Sequence, residues 1–174
     1  MEFESVLALR QSTRSYTQEP LTSRQVEALL SAARHAPVCL GQFDHVHLIV
    51  VQDKAVLDEL NSLFAEAVND PEARPTYGAP AVIFVCNRTE DEEIVMGANA
   101  SCIMENMLLS AADQGLAAVY LFGISQVLRN NARFQELLRL PEGFRTVSAI
   151  AVGHSDQPLA PRAMPEDKLG VTRV

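Results

Sequence analysis

The stretch from Ala98 to Ala112 constrains the fold more than any other part of the chain. Nearly every position in it is apolar or small, and Met104, Met107 and Leu109 crowd more than one face of a helix. Gly115 follows at the position of a C-cap glycine. A helix that is apolar all round has to be covered on every side. In a chain of 174 residues, we therefore predict that it is the central core element and also part of a subunit interface.

Shorter apolar segments surround this helix in the sequence. A capping-box pattern at Thr22 and Gln25, followed by apolar residues at helical spacing, predicts a helix that ends near Ala36, before Pro37. Further helices are predicted around 56–64 and 132–140, and buried strands at 47–51, 81–86, 117–122 and 146–152. Alternating helices and strands favour an α/β layered domain with helices on both faces of a sheet. With no linker or repeat visible, we expect residues 1–174 to form a single domain.

The charge balance excludes several classes of partner. The chain has 22 acidic and 14 basic residues, a formal charge of -8 and a pI of about 4.9. Such a surface repels nucleic acid and anionic lipid. The N-terminus carries acids where a signal peptide needs positive charge, and no apolar run approaches the ~20 residues that span a bilayer. We expect a cytoplasmic protein with no nucleic-acid or membrane partner.

The cysteines and histidines do not predict a metal centre. Cys39, Cys86 and Cys102 include no Cys-x-x-Cys pair, so neither a disulfide framework nor a structural zinc site is indicated. On a strand, His45 and His47 would point to the same face. Metal binding there is the less favoured alternative, because no third ligand is visible nearby.

One segment near the N-terminus could bind an anion. Between Arg10 and Tyr16 lie two arginines and three serine or threonine hydroxyls, just after the apolar residues Val6–Leu9 of a first predicted helix. Guanidinium groups present forked donors that match phosphate oxygens, and hydroxyls add further hydrogen bonds. A solvated loop after a helix is the alternative that these residues leave open.

An ordered series of motifs extends over nearly the whole chain. Its members are Arg10-x-Ser12-x-Arg14, Ala36-Pro37, Asn106–Leu109 with Ala111–Leu116, and a strand from Val147 to Gly153. No one motif is specific, but in this order they resemble the nitroreductase family. The resemblance implies an α+β fold with a mixed sheet sandwiched by helices. It also implies a homodimer with a long buried interface helix and two flavin sites between the subunits.

The resemblance implies FMN as the cofactor and assigns residues to it. The residues implied to hold the phosphate and ribityl chain are Arg10, Gln11, Ser12 and Arg14, with Arg162 completing the phosphate grip. The residues implied to cover the flavin ring from the partner subunit are Pro37, Val38, Cys39 and Leu40. Gly123 matches the place where backbone amides approach the flavin N5 edge.

The ring-covering segment departs from the family pattern. Where the family has Ser, Asn and Pro-Trp, this chain has Val38, Gly41 and Asp44-His45. These changes remove side-chain hydrogen bonds to the pyrimidine edge of the ring, although Gln42 could supply an amide. The insertion that covers the site in larger family members is replaced by the short loop 69–78, which implies an open site with broad substrate preference.

The implied activity is hydride transfer from NAD(P)H through FMN to quinone-like or nitroaromatic acceptors. The flavin performs the covalent chemistry, so the absence of a catalytic dyad or triad does not count against an enzyme. A flavin-binding or flavin-sensing protein with little reductase activity is the main alternative, and a dimeric module without cofactor is a second one. Glu105 is expected to point into a polar seam of the dimer or to pair with an arginine, rather than to act as a functional acid. Cys39 is expected to be a passive wall residue rather than a redox thiol.

Overall fold

The computed structural model describes residues 1–157, 159–163 and 168–174. The helices are Phe3–Leu9 (α1), Ser23–Arg34 (α2), Lys54–Val68 (α3), Glu93–Asp113 (α4), Gly123–Leu128 (α5) and Ala132–Leu137 (α6). The strands are Val46–Val51 (β1), Ala81–Arg88 (β2), Ala117–Leu121 (β3) and Phe144–Gly153 (β4). Two 3-10 turns, Cys39–Gly41 and Phe43–His45, precede β1.

The strands form one sheet in the order β1-β2-β4-β3, and every neighbouring pair is antiparallel. A bulge interrupts the β2–β4 register between Val85 and Cys86. The parallel component within the described residues is an isolated bridge between Ser12 and Ala118, which places the N-terminal segment beside β3. The expected α+β class is confirmed, and the pairing within the sheet is mainly antiparallel.

Helices cover both faces of this sheet, as the sequence predicted. In β2, Ile83 and Val85 pack with side chains of α2 and α4 on one face. Val82 and Phe84 pack with side chains of α3, α5 and α6 on the other. Successive residues of a strand point to opposite faces, and both faces are buried here. This explains why β2 is a continuous apolar run rather than an alternating one.

The local signals in α2 are confirmed in detail. The Thr22 hydroxyl accepts from the Gln25 backbone N–H at 3.3 Å, and the Thr22 N–H donates to the Gln25 side chain at 2.8 Å. The helix ends at Arg34, three residues before Pro37. The sequence did not predict α5. This short helix begins at Gly123, so that Gly123 lies between the end of β3 and a helix.

The single chain covers only part of the apolar helix, and its role in a subunit interface stays a prediction. In α4, the faces toward α2 and the sheet are buried, including Met104 and Met107, each fully inaccessible. A strip on the remaining face stays exposed and consists of Ile94, Ala98, Ser101, Cys102 and Glu105. The chain alone therefore leaves one face of its central helix open.

The length of α4 also corrects an expectation. It has 21 residues, and by length and composition alone it is apolar enough to cross a membrane, unlike any other helix of the described residues. The prediction that no stretch reaches that length is wrong. The buried part of α4 packs against α2 and the sheet, which is the arrangement of a core helix, and such helices meet the same criterion.

Candidate functional site

The N-terminal segment that follows α1 is fixed along β3 by its backbone. The Thr13 N–H donates to the Ala118 carbonyl at 3.0 Å, and the Tyr16 hydroxyl donates to the Thr13 carbonyl at 2.8 Å. Burial raises the pKa of Tyr16, which keeps this donor protonated. Within the segment, Gln11 is half-buried and Ser12 is exposed. The Ser12 hydroxyl is thus presented to solvent from a backbone that cannot move freely.

Arg10 and Arg162 lie side by side, although 152 positions separate them. The Arg162 guanidinium donates to the Arg10 carbonyl, and the Arg162 backbone N–H donates to the Ala8 carbonyl at 3.0 Å. The Nε atom of Arg162 is buried and has no hydrogen-bond partner among the described residues. A buried charged donor without a partner is costly, so this atom indicates a site built to receive an acceptor.

Glu105 supplies the negative charge next to this pair. Its Oε1 lies 3.8 Å from Arg10 Nε, which is close enough for an ion pair but too long for a hydrogen bond. The expectation that Glu105 pairs with an arginine is confirmed. Glu105 therefore pairs with Arg10, whereas the Arg162 guanidinium contacts the Arg10 backbone carbonyl.

Arg14 points elsewhere. Its guanidinium lies over the ring of Tyr77, 5.8 Å from the ring centroid, in a cation–π arrangement. Tyr77 itself has a positive φ of 55° in the turn that ends the 69–78 loop. The structure therefore brings Arg10 and Arg162 together and directs Arg14 toward Tyr77, a contact that no spacing in the sequence indicated.

The four residues implied to cover a flavin ring form a protruding turn. Pro37, Cys39 and Leu40 are exposed and Val38 is half-buried. Leu40 is 88% exposed and adopts a φ of 54°, a left-handed conformation that is rare for a leucine. An exposed apolar side chain on such a turn is expected where a second surface covers it.

The turn is anchored by a residue that the sequence reasoning missed. The Cys39 backbone N–H donates to the Asn99 side-chain oxygen on α4 at 2.9 Å, and Asn99 is only 3% exposed. A polar side chain inside an otherwise apolar helix was the available signal. Asn106, on the same helix, donates from its side-chain amide to the Ala32 backbone carbonyl at 3.1 Å.

Gly123 lies at the junction of β3 and α5. It follows Phe122, whose ring is 60% exposed, and a Cβ atom added at Gly123 would meet nothing within 4 Å. The backbone at this junction is therefore approachable from solvent. Packing within the chain does not require a glycine here.

The histidines do not form the shared face that a strand would give them. His45 lies in the second 3-10 turn, and its Nδ1 is 2.8 Å from the Asp91 carboxylate, whereas the His47 ring packs against Phe144 at 5.7 Å. The hydrogen bond that the His45 ring donates to the Asp91 carboxylate raises the pKa of His45. Among the described residues, no group of three or more His, Cys, Asp or Glu side chains could hold a metal ion.

All three cysteines are free thiols. Cys39 and Cys102 are exposed, and Cys86 is buried in the second layer of the core. Burial raises the pKa of Cys86 to about 12, so this thiol stays protonated and inert at neutral pH.

A comparison with protein families identifies this arrangement. The model of the nitroreductase family matches residues 7–154, which include the N-terminal segment, α4 and all four strands. The chain belongs to the nitroreductase family. This confirms the resemblance that the ordered motifs indicated.

Two relatives are similar over most of this nitroreductase-family chain. A candidate NADH dehydrogenase/NAD(P)H nitroreductase of Archaeoglobus fulgidus is 28% identical over 148 residues, which cover 83% of this chain and 80% of that protein. An NADPH-flavin oxidoreductase of Vibrio harveyi is 30% identical over 164 residues, which cover 88% of this chain. The match spans 65% of the Vibrio protein, so that relative is substantially longer.

Solved structures show the same fold. A nitroreductase from Bacteroides fragilis with bound FMN superposes with a TM-score of 0.84 at 20% identity, over 99% of this chain and all of that one. A nitroreductase from Desulfitobacterium hafniense, also with bound FMN, gives a TM-score of 0.84 at 22% identity, with the same coverage of both chains.

Proposed function

We propose that this nitroreductase-family chain binds FMN and acts as a cytoplasmic NAD(P)H oxidoreductase. The observation that carries the proposal is the Arg162 guanidinium, which donates to the Arg10 backbone carbonyl and whose buried Nε lacks a partner within the described residues. Relatives with this fold are named for flavin or nicotinamide chemistry, and two solved ones hold FMN. The residues present fit a phosphate-bearing flavin.

Each residue would have a separate task at the cofactor. Arg10 and Arg162 would hold the phosphate, since guanidinium groups bind phosphate oxygens through charge-assisted hydrogen bonds. The exposed Ser12 hydroxyl would bond the ribityl chain, and the open backbone at Gly123 would lie along the ring edge. FMN supplies the hydride chemistry when bound. The protein then has to bind and orient, without an acid–base side chain.

We also propose that the working unit is a homodimer. The exposed strip on α4 runs parallel to the helix axis and has small side chains at its centre, which allow a second helix to approach closely. Leu40 and Phe43 add exposed apolar surface, at 88% and 53% exposure. Contiguous exposed apolar surface is typical of an interface. In a dimer, the turn containing Leu40 would cover the flavin of the partner.

The acceptors that we propose are quinone-like or nitroaromatic compounds. Planar acceptors of this kind can stack on an exposed flavin face, and the loop 69–78 is too short to cover that face. The ring-covering turn offers Val38 and Gly41 instead of side-chain hydrogen-bond donors. This feature favours, as the second candidate, a flavin-binding protein with little reductase activity.

FMN binding and turnover test the proposal together. Saturation with FMN at about 100 times its Kd should stabilise the fold by about 2.7 kcal/mol, which is a rise of about 5–10 °C in Tm for a chain of this length. The loaded protein should oxidise NADH or NADPH when menadione or a nitrofuran is supplied. An unchanged Tm with FMN would refute flavin binding. A rise in Tm without oxidation would favour the flavin-binding alternative.

The oligomeric state is tested separately. Sedimentation at micromolar concentration should give twice the chain mass of 19.0 kDa. A monomer that binds FMN tightly would contradict the shared site. Replacing Ala98 by Glu on the exposed strip should dissociate the dimer, because it would bury a charge at the interface.

A further inference from the structure

A small cavity lies beside the proposed flavin edge. It has a volume of about 160 Å³ and is formed where the start of α4, the start of β4 and the first turns of α5 meet. Phe122, the residue directly before Gly123, forms part of its wall, and Gln126 forms another part. Pockets for drug-sized ligands are typically ~300–1,000 Å³. This cavity is therefore sized for one chemical group rather than for a whole ligand.

Two arginines from different elements line the cavity. Arg129 at the end of α5 and Arg145 on β4 both contact the Glu93 carboxylate, at 3.4 and 3.3 Å. The Arg145 Nε also donates to the Met96 sulfur at 3.0 Å, which fixes the plane of this guanidinium. One carboxylate shared by two guanidinium groups leaves an excess of positive charge.

This sharing differs from other arginine pairs of the chain. Arg34 contacts Glu27, and Arg133 contacts Glu59, so that each of these cations has a carboxylate of its own. The Glu93 side chain is 72% exposed, whereas that of Arg145 is 27% exposed. The carboxylate is thus on the solvent side and leaves the donors of Arg145 near the cavity.

A hydroxyl group in the cavity wall also lacks a partner. Thr146 is only 2% exposed, and its Oγ1 makes no hydrogen bond to any described residue. Buried hydroxyls normally have a hydrogen-bond partner. An unpartnered hydroxyl therefore belongs to a residue that lines the same cavity as the two arginines.

We propose that this cavity binds a phosphate group of the nicotinamide dinucleotide while its nicotinamide ring reacts at the flavin. Phosphate oxygens suit the forked donors of Arg129 and Arg145. The phosphate can be the 2′-phosphate of NADPH or the diphosphate that NADH shares. The inference rests on the proposed oxidoreductase function and specifies how the donor would be recognised.

Arg129→Ala and Arg145→Ala are the decisive variants. Each should raise the KM for NADPH by about 10-fold, as expected for the loss of one charge-assisted hydrogen bond, with kcat little changed. Calorimetry with NADP⁺ should show the same loss in affinity without turnover. Arg133→Ala, which removes an arginine from a one-to-one pair on α6, is the matched control. Glu93→Gln should leave binding unchanged or tighten it, because it removes a negative charge.

A comparison of NADPH with NADH as the hydride donor identifies which phosphate group is bound. A loss of affinity confined to NADPH would identify the 2′-phosphate, and an equal loss of affinity for NADH would identify the diphosphate. If both arginine variants bound NADP⁺ like the control, the inference would be overturned while FMN binding stood. If Glu93→Gln weakened NADP⁺ binding as much as the arginine variants do, the three side chains would be supporting the local fold rather than binding phosphate. That result would also overturn the inference. Arg129 is at a helix end, so its variant remains informative if Arg145→Ala does not fold.

Discussion

Arg162→Ala tests the phosphate site more sharply than any other substitution. Its guanidinium donates to the Arg10 carbonyl, and its Nε is buried without a partner within the described residues. In the proposed complex this side chain would donate to the FMN phosphate. Riboflavin lacks the phosphate and provides the natural comparison, because every other part of the ligand is the same.

The magnitude follows from the bonds that are lost. A hydrogen bond to a charged group contributes about 1.5–3 kcal/mol, which corresponds to about 10- to 100-fold in Kd. We therefore expect FMN to bind about 10- to 100-fold more weakly and riboflavin to bind as before. The backbone bond from Arg162 to the Ala8 carbonyl survives the substitution. The bond that is lost has a charged donor, the Arg162 guanidinium, so the loss in folding stability should not exceed about 1.5–3 kcal/mol.

Quenching of flavin fluorescence on titration with protein measures both affinities in one assay. Arg133→Ala is again the matched control, since its partner Glu59 lies on α3 and the pair is exposed. Equal losses for FMN and riboflavin would mean that Arg162 supports the fold or the ring site. Unchanged FMN affinity in both Arg162→Ala and Arg10→Ala would refute the phosphate assignment.

Three further predictions concern the framework around the site. Phe134→Ala should lower the free energy of unfolding in urea by about 3–5 kcal/mol, because the ring is fully buried, and a loss below about 1 kcal/mol would contradict this packing. Gly153→Ala should cost about 1–3 kcal/mol in the same assay, since the added Cβ would lie 2.5 Å from Pro80 Cδ; a neutral result would contradict the close approach. NMR should show His45 titrating above its ordinary pKa of 6.5, with the midpoint moving back toward 6.5 in Asp91→Asn. Because the folded pKa is raised, this pair stabilises the fold below pH 6.5 and its contribution is lost as the pH rises through the raised pKa; an identical midpoint in the variant would refute the coupling.

The sequence predicted the layered arrangement of helices and strands better than it predicted which faces of each helix are buried. The apolar run 81–86 in β2 and the capping box at Thr22 are local signals, and both were interpreted correctly. The sequence predicted that α4 also serves an interface but not which residues form the exposed strip, because small residues such as Ala98 and Cys102 suit a core and an interface equally well. Helix α5 has six residues, too few for a helical period to be recognised.

The candidate site was predictable in its parts but not in its geometry. Arg10 could be recognised as a phosphate ligand from its neighbours, but nothing local connects it with Arg162 at the other end of the chain. That assignment required the family resemblance. The direction of Arg14 toward Tyr77 depends on the path of the 69–78 loop, which spacing does not determine. Asn99 stands out in the sequence as a polar residue of an apolar helix, but its partner is the backbone N–H of Cys39, which has no signature in a sequence.

Helix α4 connects the two halves of the proposed flavin site. Its Glu105 contacts Arg10 at the phosphate end, and its Asn99 holds the turn at Cys39. These two positions are about 9 Å apart along the helix axis, at 1.5 Å per residue. In the proposed dimer, one flavin would use Arg10 beside one α4 and the turn anchored to the α4 of the partner. The separation of the two helices would then set the width of the site, so a change on the exposed strip of α4 should alter dimerisation and flavin affinity together.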